Sequence, residues 1–162
     1  MSVAALLKVR AALVALALAA AGRGVTVDGE EAAAMISQYR GTLRLSQVTV
    51  DPTLMKIAFL HSRRMAAANR LTHVLRGEGS FAQRLADGGF ETTVAVENIA
   101  GGPATLAEAL ALWRRSPAHD RNLRTSGVSK LGIGVANSRD SRYKTYWTLI
   151  LGEDGRRVDK PD

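Results

Sequence analysis

The sequence predicts an α+β fold in which helices enclose a small antiparallel sheet. Apolar residues recur at helical spacing from about residue 30 to residue 115, whereas residues 128–136 and 143–151 alternate with a period of two. Both faces of residues 143–151 are mostly apolar, so this strand needs cover above and below. Helices are the other elements available to provide that cover, which gives the predicted architecture.

Four helices are predicted from capping residues and from acids in a first turn. They cover residues 30–39, 52–69, 81–87 and 106–115. A fifth helix is expected to begin at Ser116-Pro117, because the residue before a proline avoids the helical conformation. The chain is therefore expected to restart there at a new angle.

The strands follow from the change of period. In residues 128–136, aliphatic side chains point to one face, while Gly132 and Gly134 leave the other face nearly bare. A helix backbone is expected to approach this bare face closely. Residues 137–142 are expected to join the two strands as an antiparallel hairpin, and residues 92–96 to add a third strand.

The first 23 residues have the layout of a secretory signal peptide. Lys8 and Arg10 precede an uncharged run from Ala11 to Gly22 that ends in small residues, and 12 residues are too few to cross a bilayer as a helix. An uncleaved N-terminal anchor is the alternative. We therefore expect a secreted protein, extracellular or periplasmic, with three parts: a leader or anchor at 1–23, one domain at 30–152 and a polar tail at 153–162.

Composition narrows the class of protein. The 162 residues are 46% hydrophobic and 23% charged, which is typical of one globular domain, and no cysteine is present for disulfides, thiol nucleophiles or zinc ligation. The formal net charge is +7, but Lys8, Arg10 and Arg23 belong to the leader, and 19 basic residues then remain against 15 acidic ones. This excess is spread along the chain, so no nucleic-acid partner is expected.

Candidate chemistry centres on histidines and one isolated acid. Glu97 lies in an apolar stretch, where a charge is unfavourable unless it is paired. If Glu97 meets His73 and His119, the three would form a site for Zn²⁺ or another divalent cation, since two histidines and a glutamate with an open water position form a known zinc arrangement. A structural hydrogen-bonded cluster is the alternative, because no local pair such as HExxH fixes the geometry.

Other polar residues near these positions have competing interpretations. Ser116 would be a nucleophile if His119 were its base and Glu97 the orienting acid. A helix N-cap is favoured instead, because a serine before a proline at a helix start is typical of a cap and no GxSxG elbow is present. Asn122 is expected to bind backbone or to hold a neighbouring loop. His61 lies on the apolar stripe of its helix and is expected to be a satisfied residue at the edge of the core.

An ordered set of motifs resembles the CAP superfamily, which comprises cysteine-rich secretory proteins, antigen 5 and plant pathogenesis-related 1 proteins, in its small cysteine-free bacterial form. The similarity runs from about residue 35 to residue 152. It is carried by Ile36–Arg40, Asp51-Pro52 with Leu54, Met65–His73, Arg84 with Gly89, Glu97–Ala100, Trp113 with Ser116–His119 and Asn122, Leu131–Val135, and Tyr146-Trp147. Each motif alone is weak, but their order and spacing together are specific. The resemblance implies an α-β-α sandwich.

The resemblance also implies a cleft with two histidines and two acids, where divalent cations bind in some members. His73, Glu97 and His119 match three of these positions. The fourth acid, three residues after the helix tryptophan in many members, is replaced by Ser116, so the full set of four is absent. Asp120 stands where the bacterial motif often has arginine.

Two functional hypotheses follow. The resemblance favours a secreted binding module whose cleft, or an adjoining apolar groove, takes a lipid, glycan or protein partner, with or without a divalent cation. The second hypothesis is a metal-assisted hydrolase of protease type, in which His73 and His119 hold Zn²⁺ and Glu97 is a ligand or general base. The sequence leaves open whether the chain is an enzyme. Membrane contact is expected only through an uncleaved N-terminal segment.

Overall fold

The computed structural model describes residues 24–154, so the predicted leader and all but the first two residues of the predicted tail lie outside the described residues. The elements within this range are α1 Gly29–Thr42, β1 Thr49–Val50, α2 Pro52–Ala68, α3 Phe81–Asp87, β2 Ala95–Gly101, α4 Leu106–Arg115, α5 Pro117–Leu123, β3 Lys130–Asn137 and β4 Thr145–Gly152. Among residues 24–154, no helix has both the length and the apolar character that a membrane crossing requires.

The four strands form one sheet in the order β1-β3-β4-β2. The predicted hairpin is present, with β3 antiparallel to β4, and β2 pairs antiparallel on the other side of β4. The two-residue β1 pairs parallel with β3. The predicted sheet was antiparallel, so this pairing differs from the prediction. The third strand also differs from the prediction, since it spans Ala95–Gly101 rather than residues 92–96. It is an edge strand, and its polar residues Glu97 and Asn98 obscure the alternation in the sequence.

Helices cover both faces of the sheet, and β4 is buried at every position, as predicted. On one face, α1, α4 and α5 pack around Trp113 and Trp147. On the other face, α2 and α3 pack against Ile150 through residues such as Leu54 and Leu85. These three layers are the predicted α-β-α sandwich.

The bare face of β3 receives the backbone of α2. A Cβ atom added at Gly132 would lie 2.1 Å from the carbonyl carbon of Leu54, and one added at Gly134 would lie 2.4 Å from the Cα atom of Phe59. No other residue type fits this separation without displacing the helix. The two glycines therefore set the distance between α2 and the sheet, as the sequence pattern predicted.

Candidate functional site

Glu97, in the middle of β2, has both carboxylate oxygens occupied by neighbouring side chains. Its Oε1 lies 2.8 Å from Nδ1 of His73 and accepts a hydrogen bond of 2.9 Å from Nη2 of Arg84. Its Oε2 accepts a second hydrogen bond, of 2.8 Å, from Nη1 of Arg84. The carboxylate is thus bonded to a guanidinium on one side and to an imidazole on the other, and Glu97 is only 6% exposed.

The environment of Glu97 keeps its carboxylate ionised and sets the direction of its hydrogen bond with His73. Burial raises the pKa of Glu97, but hydrogen bonds from His73 and Arg84 and the charge of Arg84 outweigh it and hold the pKa below its ordinary value of 4.5. Because Glu97 is a carboxylate, Nδ1 of His73 is the hydrogen-bond donor. Nε2 of His73 makes no hydrogen bond within the described residues, and this side chain is 51% exposed.

The loop that carries His73 is positioned by the end of α2 and by Arg84. Asn69 ends α2 in the left-handed conformation, with φ of 48°, which turns the chain away from the helix axis. The Asn69 side chain accepts hydrogen bonds of 2.9 Å each from the Tyr146 hydroxyl and the Arg142 amide. Nη2 of Arg84 donates to the backbone oxygen of His73 at 3.0 Å. The same guanidinium therefore holds both the loop and the carboxylate.

His119 lies on α5, which the side chains of two asparagines attach to β2. Nδ2 of Asn98 donates to the His119 carbonyl at 3.0 Å, and Nδ2 of Asn122 donates to the Glu97 carbonyl at 3.1 Å and to Oδ1 of Asn98 at 2.8 Å. Burial and then the charge of His73 lower the pKa of His119. Nδ1 of His119 is buried without a hydrogen-bond partner among residues 24–154.

The side chain of Ser116 does not make the predicted capping hydrogen bond. Ser116 occupies the N-cap position of α5, and the helix begins with its carbonyl, which accepts from the Asp120 amide at 2.8 Å. Asp51 also precedes a proline at the first helical position and does cap its helix, so Pro117 does not account for the missing bond. Within the described residues Ser116 also makes no side-chain hydrogen bond to His119 or Glu97. The geometry thus contains no nucleophile and base pair at this serine.

Asp120 is directed to α1 rather than to Glu97. It accepts a hydrogen bond of 2.5 Å from the hydroxyl of Tyr39 and lies 3.5 Å from Nη1 of Arg124. Burial, followed by this hydrogen bond, raises the pKa of Tyr39. Asp120 therefore joins α5 to α1.

His61 is fully buried and belongs to a second polar cluster. Its Nδ1 lies 2.9 Å from each oxygen of Glu78, and its Nε2 lies 3.1 Å from the carbonyl oxygen of Thr72. Both ring nitrogens are engaged, which is the satisfied structural role that the sequence predicted for His61. Nη1 of Arg64 bonds Glu78 at 3.1 Å, while Nε of Arg84 lies 3.9 Å from it. Arg84 thus stands between the two buried carboxylates.

Arg84, Glu78 and Asn98 were not assigned roles from the sequence. A buried glutamate in an apolar stretch requires a cation, and this requirement was the available signal for Arg84. Arg84 lies 13 residues before Glu97 in the sequence, so no local pattern indicates that the two side chains pair. Glu78 and Asn98 carry no local motif, and their roles arise only from the packing of α2 and α5 against the sheet.

The residues do not complete a metal centre of the four-ligand kind. Within residues 24–154, no group of three or more His, Asp or Glu side chains is arranged to hold a metal ion. Glu97 is already bound on both oxygens, and Ser116 supplies no carboxylate. Nε2 of His73 and the ring of His119 are the groups that remain to bind a cation.

Known proteins share this fold and parts of this sequence. Over 101 residues the chain is 33% identical to "Uncharacterized membrane protein YlbC" of Bacillus subtilis (strain 168), a match that covers 62% of this chain and 28% of that protein. Over 94 residues it is 30% identical to "Uncharacterized protein YkwD" of the same organism, covering 58% of this chain and 37% of that one. The chain thus matches well under half the length of these relatives.

Solved structures agree in fold. An extracellular protein containing an SCP domain from Bacillus anthracis str. Ames superposes with a TM-score of 0.67 at 24% identity, over 76% of this chain and 39% of the other. An outer surface protein from Borrelia burgdorferi gives a TM-score of 0.69 at 23% identity, over 81% of this chain and 98% of the other. Residues 33–151 match the family model for CAP, the cysteine-rich secretory protein family. The chain therefore belongs to the CAP family.

Proposed function

We propose that this chain is a binding module that recognises a lipid, glycan or protein partner at the cleft formed by His73 and His119. The observation that carries the proposal is the engagement of both oxygens of Glu97 by Arg84 and His73. A carboxylate held in this way positions the imidazole of His73 and has little capacity left for chemistry of its own. This support would preorganise His73 for recognition of a partner.

The same contacts disfavour a role for Glu97 as a general base. An effective base has a pKa near the pH at which it works, whereas hydrogen bonds and the charge of Arg84 hold the pKa of Glu97 below 4.5. A proton taken from substrate would also displace one of the hydrogen bonds that Arg84 and His73 donate. This favours a binding function over the hydrolase alternative.

Divalent-cation dependence is a second candidate property, favoured by the tautomer of His73. A carboxylate that accepts from one ring nitrogen of a histidine and leaves the other free is the usual outer support of a metal-binding histidine. Here the free nitrogen is Nε2 of His73, and His119 would be its partner. Two imidazoles without a carboxylate form a weak site, so no chemical step is assigned to a bound metal.

The two functions are separated by one set of measurements on the full chain. Zn²⁺ binding is followed by calorimetry, partner binding on panels of glycans and of lipids in phosphatidylcholine vesicles without net charge, and hydrolysis with fluorescent casein in the presence of Zn²⁺. The test variant is His73→Ala with His119→Ala, and the matched control is Ser116→Ala. We expect the native chain and the Ser116→Ala control to bind a partner and the double variant to lose this binding. None of the three should hydrolyse casein. Zinc-dependent hydrolysis that is lost in the double variant and in Glu97→Gln would contradict the binding proposal.

We further propose that the chain functions outside the cytoplasm. The support is the signal-peptide layout of residues 1–23 and the extracellular or outer-surface description of two proteins that share its fold. Expression of the full chain in a bacterial host, followed by fractionation and mass spectrometry of its N-terminus, tests this. A cleaved chain in the medium or periplasm is expected, whereas an intact chain in the cytoplasm would contradict it.

A further inference from the structure

One face of α2 combines exposed apolar and basic side chains. Five exposed residues at positions i, i+3, i+4, i+7 and i+8 of this helix form what we call the Phe59 face: Lys56, Phe59, Leu60, Arg63 and Arg64. Phe59 is 45% and Leu60 39% exposed. Large apolar side chains such as these two are usually buried, so the face is suited to contact with another surface.

The Phe59 face is basic and contains no acid. No Asp or Glu occurs between Pro52 and Gly77, so α2 has no carboxylate of its own. Among the described residues, Lys56 and Arg63 form no ion pair, while Arg64 lies 3.1 Å from the buried Glu78. The guanidinium of Arg63 lies 5.8 Å from the centre of the Phe59 ring. Two cations without an ion pair among the described residues thus flank an exposed aromatic ring.

The backbone of α2 faces the sheet at the level of Phe59, while the ring of Phe59 lines a groove beside the helix. The groove has a volume of about 620 Å³, and its other walls include Val25, Met55 and Val135. It extends the apolar surface beyond the helix. Gly24 is the first described residue and directly precedes Val25, which belongs to the wall of this groove. The predicted leader or anchor directly precedes Gly24 in the sequence.

We infer that the Phe59 face docks on an anionic lipid bilayer, with the rings and aliphatic chains at the headgroup boundary and the cations on lipid phosphates. This goes beyond the proposed function, since it uses a surface other than the His73 and His119 cleft. Apolar side chains between basic ones are the pattern of helices that lie in a bilayer interface. Attraction of lysine and arginine to anionic lipid supplies the electrostatic part.

Two other occupants fit this face less well. A second copy of the chain, related by a twofold axis, would place the same cations opposite one another. A soluble polyanion would satisfy the cations but leave Phe59 and Leu60 in water. Only a surface that is anionic outside and apolar inside matches both components of the face.

The test is a fluorescence measurement on the full chain carrying Phe59→Trp, with Leu112→Trp as matched control. Leu112 is 39% exposed on α4, which covers the opposite face of the sheet, and the native Trp113 and Trp147 are fully buried. We expect phosphatidylglycerol vesicles to shift the emission of the Phe59→Trp variant to shorter wavelength. Phosphatidylcholine vesicles should not do so, and neither should polyphosphate. The Leu112→Trp emission should stay unchanged with all three.

Affinity gives an independent readout. Lys56→Glu with Arg63→Glu, added to Phe59→Trp, should weaken binding to phosphatidylglycerol vesicles by about 30-fold or more, since each cation near such a surface contributes about fivefold. The leader is common to all variants and cannot cause this difference. The inference is overturned if Phe59→Trp and Leu112→Trp respond alike, if polyphosphate binds as well as the vesicles without a shift, or if the double reversal leaves vesicle affinity unchanged.

Discussion

Arg84 binds both carboxylate oxygens of Glu97, with 2.8 Å from Nη1 to Oε2 and 2.9 Å from Nη2 to Oε1. The two side chains are 4% and 3% exposed, so this ion pair joins α3 to β2 out of contact with bulk water. Removing two charges from water is compensated only when geometry and additional hydrogen bonds are good. The His73 ring donates such a bond to Glu97, and the His73 carbonyl accepts one from Arg84.

Arg84→Ala is therefore expected to destabilise the fold strongly. The substitution leaves the carboxylate of Glu97 buried without its cation, and breaking a buried pair in this way typically costs about 3–5 kcal/mol. Unfolding in urea, followed by circular dichroism, measures the change in free energy. Arg115→Ala, at an exposed position on α4, is the control and should change stability by less than about 0.5 kcal/mol. Equal effects of the two substitutions would show that the pair does not hold α3 to the sheet.

Glu97 also predicts a loss of stability in acid. Its pKa in the folded chain lies below the ordinary value of 4.5, so the unfolded chain takes up this proton first as the pH falls. Its contribution to stability is complete above about pH 4.5 and is lost as the pH falls through the folded pKa. Urea unfolding measured between about pH 7 and pH 3 should show this decline. Glu97→Gln should be less stable at neutral pH and should decline less over the acid range; an identical acid slope in both proteins would refute the assignment.

The lowered pKa of His119 predicts a second decline in stability, at higher pH. Burial and the charge of His73 lower the pKa of His119 in the folded chain below 6.5, so the unfolded state binds its proton more readily. Stability from this group is present above about pH 6.5 and is lost as the pH falls through the folded pKa. Ring resonances of His119 followed by NMR should titrate below pH 6.5, and in His73→Ala they should move back towards it. A midpoint at or above 6.5 in the native chain would contradict the effect of burial and of His73 on this half-buried ring.

The sequence was most informative where a local pattern has a direct structural cause. Caps at Asp51, Ser80 and Thr105 accept the expected amides, because a side-chain oxygen beside free helical donors acts within one turn. The glycines of β3 predicted the close approach of α2 for the same reason. Ser116 has the same pattern and makes no capping bond, although Asp51 caps its helix in front of a proline as well.

The candidate site was less predictable, because its contacts join segments distant in the sequence. The likeness of His73, Glu97 and His119 to family motifs indicated which residues to compare, but it gave no sign that Arg84 would occupy the carboxylate. That contact depends on where the short α3 packs against β2. An edge strand with polar residues, such as β2, is likewise defined by its partner strand more than by its own alternation.

Gly134→Ala tests the packing distance on which both the sheet and the Phe59 face depend. The added Cβ would lie 2.4 Å from the backbone N and Cα of Phe59, and backbone cannot move aside as a flexible side chain can. Displacement of α2 is expected to cost about 1–3 kcal/mol or more in unfolding free energy. Gly41→Ala is the matched control, since a Cβ there meets nothing within 4 Å and the position lies in the last turn of α1. Alanine is a better helix former than glycine, so Gly41→Ala should be neutral or stabilising. If chemical denaturation gave both alanine variants the stability of the native chain, α2 would not be seated on β3 by these glycines.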